Sequence, residues 1–220
     1  DGEIGVNDIV IRTFFLDICQ EHLGECAIRF DGRSYTYDEL LDAVERCAAG
    51  LYALGVRKSG KVALILSNRM EYIVAYFALF YLGAHPVPIN TRWGRQEVFN
   101  VLEDAGAEVI VTEEKIGGLS YGAYVEEYLE NHTDVRWVVH FAENHYGARG
   151  VSYDALMNPR EKLVEVEKIF PDDVAMLSYT SGTTGTPKGV MLKQNDIVKI
   201  SAYTTQTWRT EEEEYPFSIA

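Results

Sequence analysis

Apolar residues along the chain follow two kinds of spacing, and together these predict alternating helices and strands. Spacing of three and four residues predicts helices over residues 9–22, 36–54, 72–82, 95–105, around 121–128 and over 196–208. Short, mainly apolar runs predict strands over residues 61–66, 86–89, 108–112, 136–141, 173–180 and 189–192. This alternation is typical of an α/β fold with mixed, mostly parallel sheets flanked by helices.

Local signals set several boundaries. Asp31-Gly32-Arg33 is a turn signal between short strands predicted over residues 27–30 and 34–37, so a hairpin is expected there. Thr36 followed by Glu39 is the pattern of a capping box, which predicts a helix start. Asn195 or Asp196 is expected to cap the last helix. Residues 142–170 show no clear period and are expected to be irregular.

Composition narrows the class of protein. The chain has 220 residues with a formal net charge of −14, which disfavours nucleic acid and anionic membranes as partners. Cys19, Cys26 and Cys47 are odd in number and lack metal-binding spacing, which favours reduced thiols in a cytoplasmic protein. The most apolar stretch, residues 72–83, would form a helix of about 18 Å. A bilayer core is about 30 Å thick, so no membrane span is expected.

The strongest candidate for chemistry is the loop of residues 180–189. It contains five hydroxyl side chains, three glycines and one lysine. Glycines let the backbone approach a ligand closely, free N–H groups form an anion nest, and hydroxyls and a lysine can bind phosphate oxygens. The residues expected to bind a nucleotide are Thr180, Ser181, Gly182, Thr183, Thr184, Gly185 and Lys188. A mobile hairpin turn of small residues is the alternative.

The loop differs from the phosphate loop of kinases and GTPases. That loop needs Gly before its Lys, Ser or Thr after it, and then a helix. Here Pro187 precedes Lys188, Gly189 follows it, and the next residues are predicted to form a strand. The sequence therefore disfavours a kinase-type enzyme.

Residues 179–190 resemble the signature of the acyl-adenylate-forming superfamily, which includes acyl-CoA synthetases, luciferases and peptide-synthetase adenylation domains. Weaker agreement is found over residues 35–40 and 60–92. Within the superfamily, residues 88–92 look more like acyl- and aryl-CoA ligases, because peptide-synthetase domains tend to carry Asp where Asn90 stands. The resemblance covers nearly the whole chain but only the front of the family's large N-terminal domain.

The resemblance implies a two-step reaction. A carboxylate attacks the α-phosphate of ATP, pyrophosphate leaves, and the acyl group then passes to a thiol, most often CoA. ATP, Mg²⁺ and CoA are thus expected, with a fatty or related acid as substrate; aromatic and small acids stay open. The implied role of Thr180, Ser181, Gly182, Thr183, Thr184 and Lys188 is to surround the β- and γ-phosphates, whereas the magnesium ligands are not assigned.

The expected domain content is also partial. Residues 1–220 are predicted to be a truncated N-terminal AMP-binding domain without the C-terminal lid, and the catalytic residues are expected beyond Ala220. Such a fragment is expected to be inactive in adenylation by itself. A non-catalytic nucleotide-binding remnant that acts with a partner is the alternative, and a homodimer is a candidate assembly.

Overall fold

A computed structural model describes residues 9–141, 146–160, 165–180 and 187–207. The helices are α1 (Ile11–Glu21), α2 (Tyr37–Ala53), α3 (Met70–Leu82), α4 (Arg95–Ala105), α5 (Tyr121–Asn131), α6 (Tyr153–Leu156) and α7 (Gln194–Thr207). The strands are β1 (Cys26–Phe30), β2 (Arg33–Thr36), β3 (Lys61–Ile65), β4 (His85–Pro88), β5 (Val109–Thr112), β6 (Trp137–His140), β7 (Gly150–Ser152), β8 (Val174–Thr180) and β9 (Lys188–Lys193). The predicted helices and strands are therefore present, with ends shifted by a few residues.

A five-stranded parallel sheet in the order β4-β3-β5-β6-β7 forms the centre of the fold. Strand β3 pairs with β4 on one side and with β5 on the other, so the chain crosses over β3 after β4. All four residues of β5 are buried, as expected of a strand covered by helices on both faces. This confirms the α/β class with a mostly parallel sheet.

Each face of this sheet packs against its own hydrophobic core. Val62 and Leu64 of β3 point into a core that also contains side chains of α1, α2 and α3. Ala63 and Ile65 point into a second core, which contains side chains of α4 and α5. The alternation follows from the two-residue period of side chains along a strand.

Two antiparallel hairpins lie outside the parallel sheet. Strands β1 and β2 form the predicted first hairpin, and β8 and β9 form the second. Strand β8 lies next to β4, so the second hairpin is held close to the edge of the parallel sheet. The hairpin β8–β9 thus carries the loop that the sequence singles out.

Two expectations were wrong. Part of the stretch expected to be irregular contains β7 and α6, which have three and four residues and are too short to show a period. Helix α7 begins at Gln194, before the expected cap, because β9 passes directly into the helix and the buried Gln194 side chain is turned inward. Among the described residues, no helix is both long and apolar enough to cross a membrane.

Candidate nucleotide-binding site

The two ends of the candidate loop lie side by side where strands β8 and β9 of the hairpin join it. Thr180 ends β8, Lys188 begins β9, and the two residues are direct partners in the antiparallel register. Directly opposed residues of an antiparallel pair project on the same face. The structure therefore brings the first and last predicted phosphate ligands together.

The middle of the loop is outside the described residues. This applies to Ser181, Gly182, Thr183, Thr184 and Gly185, so the structure neither places them nor tests their predicted role. The geometry of the site is thus the geometry of the hairpin that carries them.

Lys188 is suited to binding an anion. It is exposed, and among the described residues it has no ion-pair partner that would neutralise its charge. Residues 188–193 form a strand. The prediction that no helix follows the lysine is confirmed, and the arrangement differs from the strand-loop-helix of kinases and GTPases.

The far end of the hairpin is fixed by Asp173. Its Oδ2 atom lies 2.7 Å from Nζ of Lys58 and accepts a hydrogen bond of 2.7 Å from the backbone N–H of Phe170. Burial opposes ionisation, but the bonds from Lys58 and Phe170 outweigh it and lower the pKa of Asp173. The turn at residues 171–173 therefore anchors the start of β8.

His85 of β4 lies in the same region and is buried. Burial and then the charge of Lys61 lower the pKa of its imidazole, which favours the neutral ring. Its Nδ1 atom has no hydrogen-bond partner among the described residues. A neutral, buried ring of this kind fits an ordinary core residue.

A cleft of about 470 Å³ lies elsewhere, between the β1–β2 hairpin and the segment that follows β3. Its charged lining residues are Asp31, Arg33, Arg69 and Glu71, and Arg69 is already paired with Glu71 at 2.9 Å. Neither Thr180 nor Lys188, the described ends of the predicted loop, lines it.

The described residues contain no group of three or more His, Cys, Asp or Glu side chains that could hold a metal ion. Lys188 offers a positive charge that fits a phosphate oxygen, whereas the hydroxyl of Thr180 could bind either a phosphate oxygen or Mg²⁺.

One contact at the end of β8 could not be read from the sequence. The Tyr179 hydroxyl donates to Oδ2 of Asp104 on α4 at 2.6 Å. The signal was a tyrosine directly before the loop, but nothing in the sequence indicated its partner.

The family model described as "AMP-binding enzyme" matches residues 15–218. The chain belongs to the AMP-binding enzyme family. The predicted resemblance to adenylate-forming enzymes is thereby confirmed, and the polar loop falls inside the matched region.

Curated relatives in this family include CoA ligases. The chain is 34% identical over 176 residues to 4-coumarate-CoA ligase 1 of Narcissus pseudonarcissus, covering 77% of this chain and 29% of the relative. It is 33% identical over 189 residues to crotonobetaine/carnitine–CoA ligase of Salmonella paratyphi C (strain RKS4594), covering 83% of this chain and 36% of the relative. The chain thus spans about a third of the length of these relatives.

Solved structures agree on the fold of this chain. O-succinylbenzoate CoA synthetase of Bacillus subtilis, solved with AMP, gives a TM-score of 0.73 at 26% identity, covering 93% of this chain and 48% of the other. The anthranilate CoA ligase AuaEII, solved with anthranoyl-AMP, gives a TM-score of 0.79 at 23% identity, covering 92% of this chain and 37% of the other. The second likeness concerns the fold alone.

Proposed function

We propose that this AMP-binding chain is the front part of the N-terminal domain of an ATP-dependent acid–CoA ligase. The observation that supports the proposal most is the β8–β9 hairpin, which brings Thr180 and the exposed Lys188 together at the ends of a Gly- and hydroxyl-rich loop. The curated relatives named above are CoA ligases, which agrees with this chemistry.

In the proposed site, the loop binds the triphosphate of ATP. Lys188 neutralises charge on the outer phosphates, while the hydroxyl and backbone N–H groups of Thr180, Ser181, Gly182, Thr183, Thr184 and Gly185 donate to phosphate oxygens. Mg²⁺, when bound, would add charge neutralisation at the same phosphates. The loop then holds the β- and γ-phosphates as the leaving pyrophosphate.

The chemical step needs little from these residues beyond position and charge. A carboxylate oxygen of the substrate forms a bond to the α-phosphorus, and the bond from that phosphorus to the bridging oxygen breaks. Negative charge then grows on the departing pyrophosphate, where a lysine and oriented N–H groups stabilise it. The acyl group is subsequently transferred to the thiol of CoA, with AMP as the other product.

The acid is proposed to be a fatty or related carboxylic acid. The names of the relatives, which refer to coumarate and to crotonobetaine or carnitine, make aromatic and small polar acids the alternatives to test. Cys19, Cys26 and Cys47 are free thiols, which supports the proposed cytoplasmic location. A homodimer is proposed as the assembly, and sedimentation of the purified protein would test it.

The test is ATP–pyrophosphate exchange by the full-length protein with a panel of fatty, aromatic and small acids. We expect exchange that depends on one class of acid, followed by AMP and thioester formation when CoA is added. ATP binding without exchange on any acid would contradict the ligase proposal and favour a non-catalytic nucleotide-binding module. The 220-residue chain alone is expected to bind ATP but not to support exchange.

A further inference from the structure

Tyr179 and Asp104 connect the hairpin stem to helix α4. The hairpin stem is the pair of strand ends next to the polar loop, residues 179–180 of β8 and residues 188–189 of β9. Tyr179 is the residue before Thr180 in β8, and Asp104 lies near the end of α4, 75 residues earlier in the chain. The distance from the phenol oxygen to Oδ2 of Asp104 is 2.6 Å. This is the length of a charge-assisted O–H···O⁻ bond, the stronger class of hydrogen bond.

Gly189 makes room for this arrangement. It is the cross-strand partner of Tyr179, and a Cβ atom added to Gly189 would lie 2.9 Å from Cζ and 3.1 Å from the hydroxyl oxygen of Tyr179. The φ angle of Gly189 lies outside the left-handed region, so glycine is not needed there for backbone strain. The glycine instead leaves space for the phenol end of the tyrosine ring, against which an added Cβ atom would lie.

The two faces of the hairpin stem therefore have different roles. Side chains alternate between faces along a strand, and opposed residues share a face. Tyr179 and Gly189 occupy the face toward α4, and Thr180 and Lys188 occupy the other face. A bond on the α4 face thus fixes the stem without occupying the face that carries the predicted phosphate ligands.

The phenol keeps its proton under ordinary conditions. Burial, and then the hydrogen bond to Asp104 and the negative charge of that carboxylate, raise the pKa of Tyr179 well above its usual value. The hydroxyl is therefore a constant donor to Asp104 across the neutral pH range. The ring also packs against the core that includes Val101 and Leu102 of α4.

We propose that Tyr179 and Asp104 are positioning residues for ATP, acting through the hairpin stem. They hold β8 against α4 before the nucleotide arrives, so that Thr180 and Lys188 do not need to be ordered upon binding. Preorganisation of this kind lowers the entropic cost of binding. The inference rests on the proposed function, because it assumes that the loop binds ATP.

The test compares MgATP affinity among variants of the full-length protein by isothermal titration calorimetry. Tyr179→Phe keeps the ring over Gly189 and removes only the hydroxyl, and we expect about three- to tenfold weaker binding. Asp104→Ala should weaken MgATP binding by a similar factor. The double variant, Tyr179→Phe with Asp104→Ala, should bind MgATP no more weakly than either single variant. Asp104→Asn, which retains an acceptor oxygen, should recover part of the affinity.

The matched control is Tyr124→Phe. Tyr124 is half-buried against the same core, on α5, and among the described residues its hydroxyl has no hydrogen-bond partner. We expect this variant to bind MgATP as the wild type does. Thermal unfolding without nucleotide identifies any variant that fails to fold, and Asp104→Asn then carries the test.

The outcomes separate the two proposals. If Lys188→Ala weakens binding but Tyr179→Phe and both Asp104 variants match Tyr124→Phe, the positioning role is wrong and the nucleotide site stands. If the wild type does not bind MgATP, the proposed function is contradicted, and the positioning role with it. Weaker binding by Tyr179→Phe and Asp104→Ala, with Tyr124→Phe unchanged, supports the positioning role.

Discussion

The backbone N–H of Ile11 donates a buried hydrogen bond of 3.1 Å to the side-chain Oε1 of Gln194, 183 residues later in the chain. Ile11 is the first residue of α1, and the residue before it, Val10, provides no side-chain cap. The first N–H groups of a helix have no partner within the helix. Gln194 of α7 therefore caps α1 from a distance.

Loss of this cap is expected to destabilise the fold. Gln194→Ala would leave the Ile11 N–H buried without an acceptor, which costs about 1–3 kcal/mol. Urea unfolding should therefore show a lower free energy of unfolding with an unchanged m-value. The control is Gln96→Ala on the exposed side of α4, where the Gln96 side chain donates to Asn100 one turn later and bonds to no other residue that the structure describes. Equal stability of the two variants would contradict the remote cap.

The remote cap shows what the sequence could not reveal. The start of α2 was predicted from Thr36 and Glu39, because both partners of a capping box lie within one turn, and both of its hydrogen bonds are present. The predicted start of α7 was too late by one or two residues, because the Gln194 side chain accepts a hydrogen bond from the first residue of α1 rather than capping its own helix. Local periodicity carries no information about a partner 183 residues away.

The capping box gives a second prediction. Thr36→Ala removes the acceptor of the Glu39 N–H and should reduce the free energy of unfolding by about 1 kcal/mol. Ser34→Ala, an exposed hydroxyl removed from the same strand β2, should change stability by less than about 0.5 kcal/mol. Thermal or urea unfolding of the two variants measures the difference, and a loss of the same size in both would argue against the cap.

A third prediction concerns the dependence of stability on pH. Nε and Nη2 of Arg69 each donate to a different oxygen of Glu71 at 2.9 Å. These bonds outweigh the effect of burial and lower the pKa of Glu71 below its ordinary value of 4.5. The unfolded chain therefore binds more protons just below pH 4.5, so the stabilisation by this pair is lost as the pH falls through the folded-state pKa.

Glu71→Gln should therefore be less stable than the wild type at neutral pH, and the difference should shrink between about pH 5 and pH 3. Arg69→Gln should show the same narrowing, because it removes the other partner. The measurement is urea unfolding as a function of pH. A difference that stays constant down to pH 3 would show that the ion pair is not its source.

The sequence says more about the loop's proposed chemistry than about its support. The glycines, hydroxyls and Lys188 form a continuous segment, so their joint role could be inferred from one window of the chain. Asp104 could not be found in this way, because it lies on an exposed helix position that looks like any other surface carboxylate. The middle of the loop lies outside the described residues, and its role stays a prediction.

The central claim is that the polar loop binds the triphosphate of ATP, and Lys188 tests it most directly. MgATP binding should be measured by calorimetry on the full-length wild type, on Lys188→Ala and on the control Lys199→Ala, an exposed lysine of α7. We expect Lys188→Ala to bind about tenfold more weakly, which corresponds to about 1.4 kcal/mol, and Lys199→Ala to bind as the wild type does. Equal affinities of the two lysine variants for MgATP would contradict the assignment of this loop as the phosphate site.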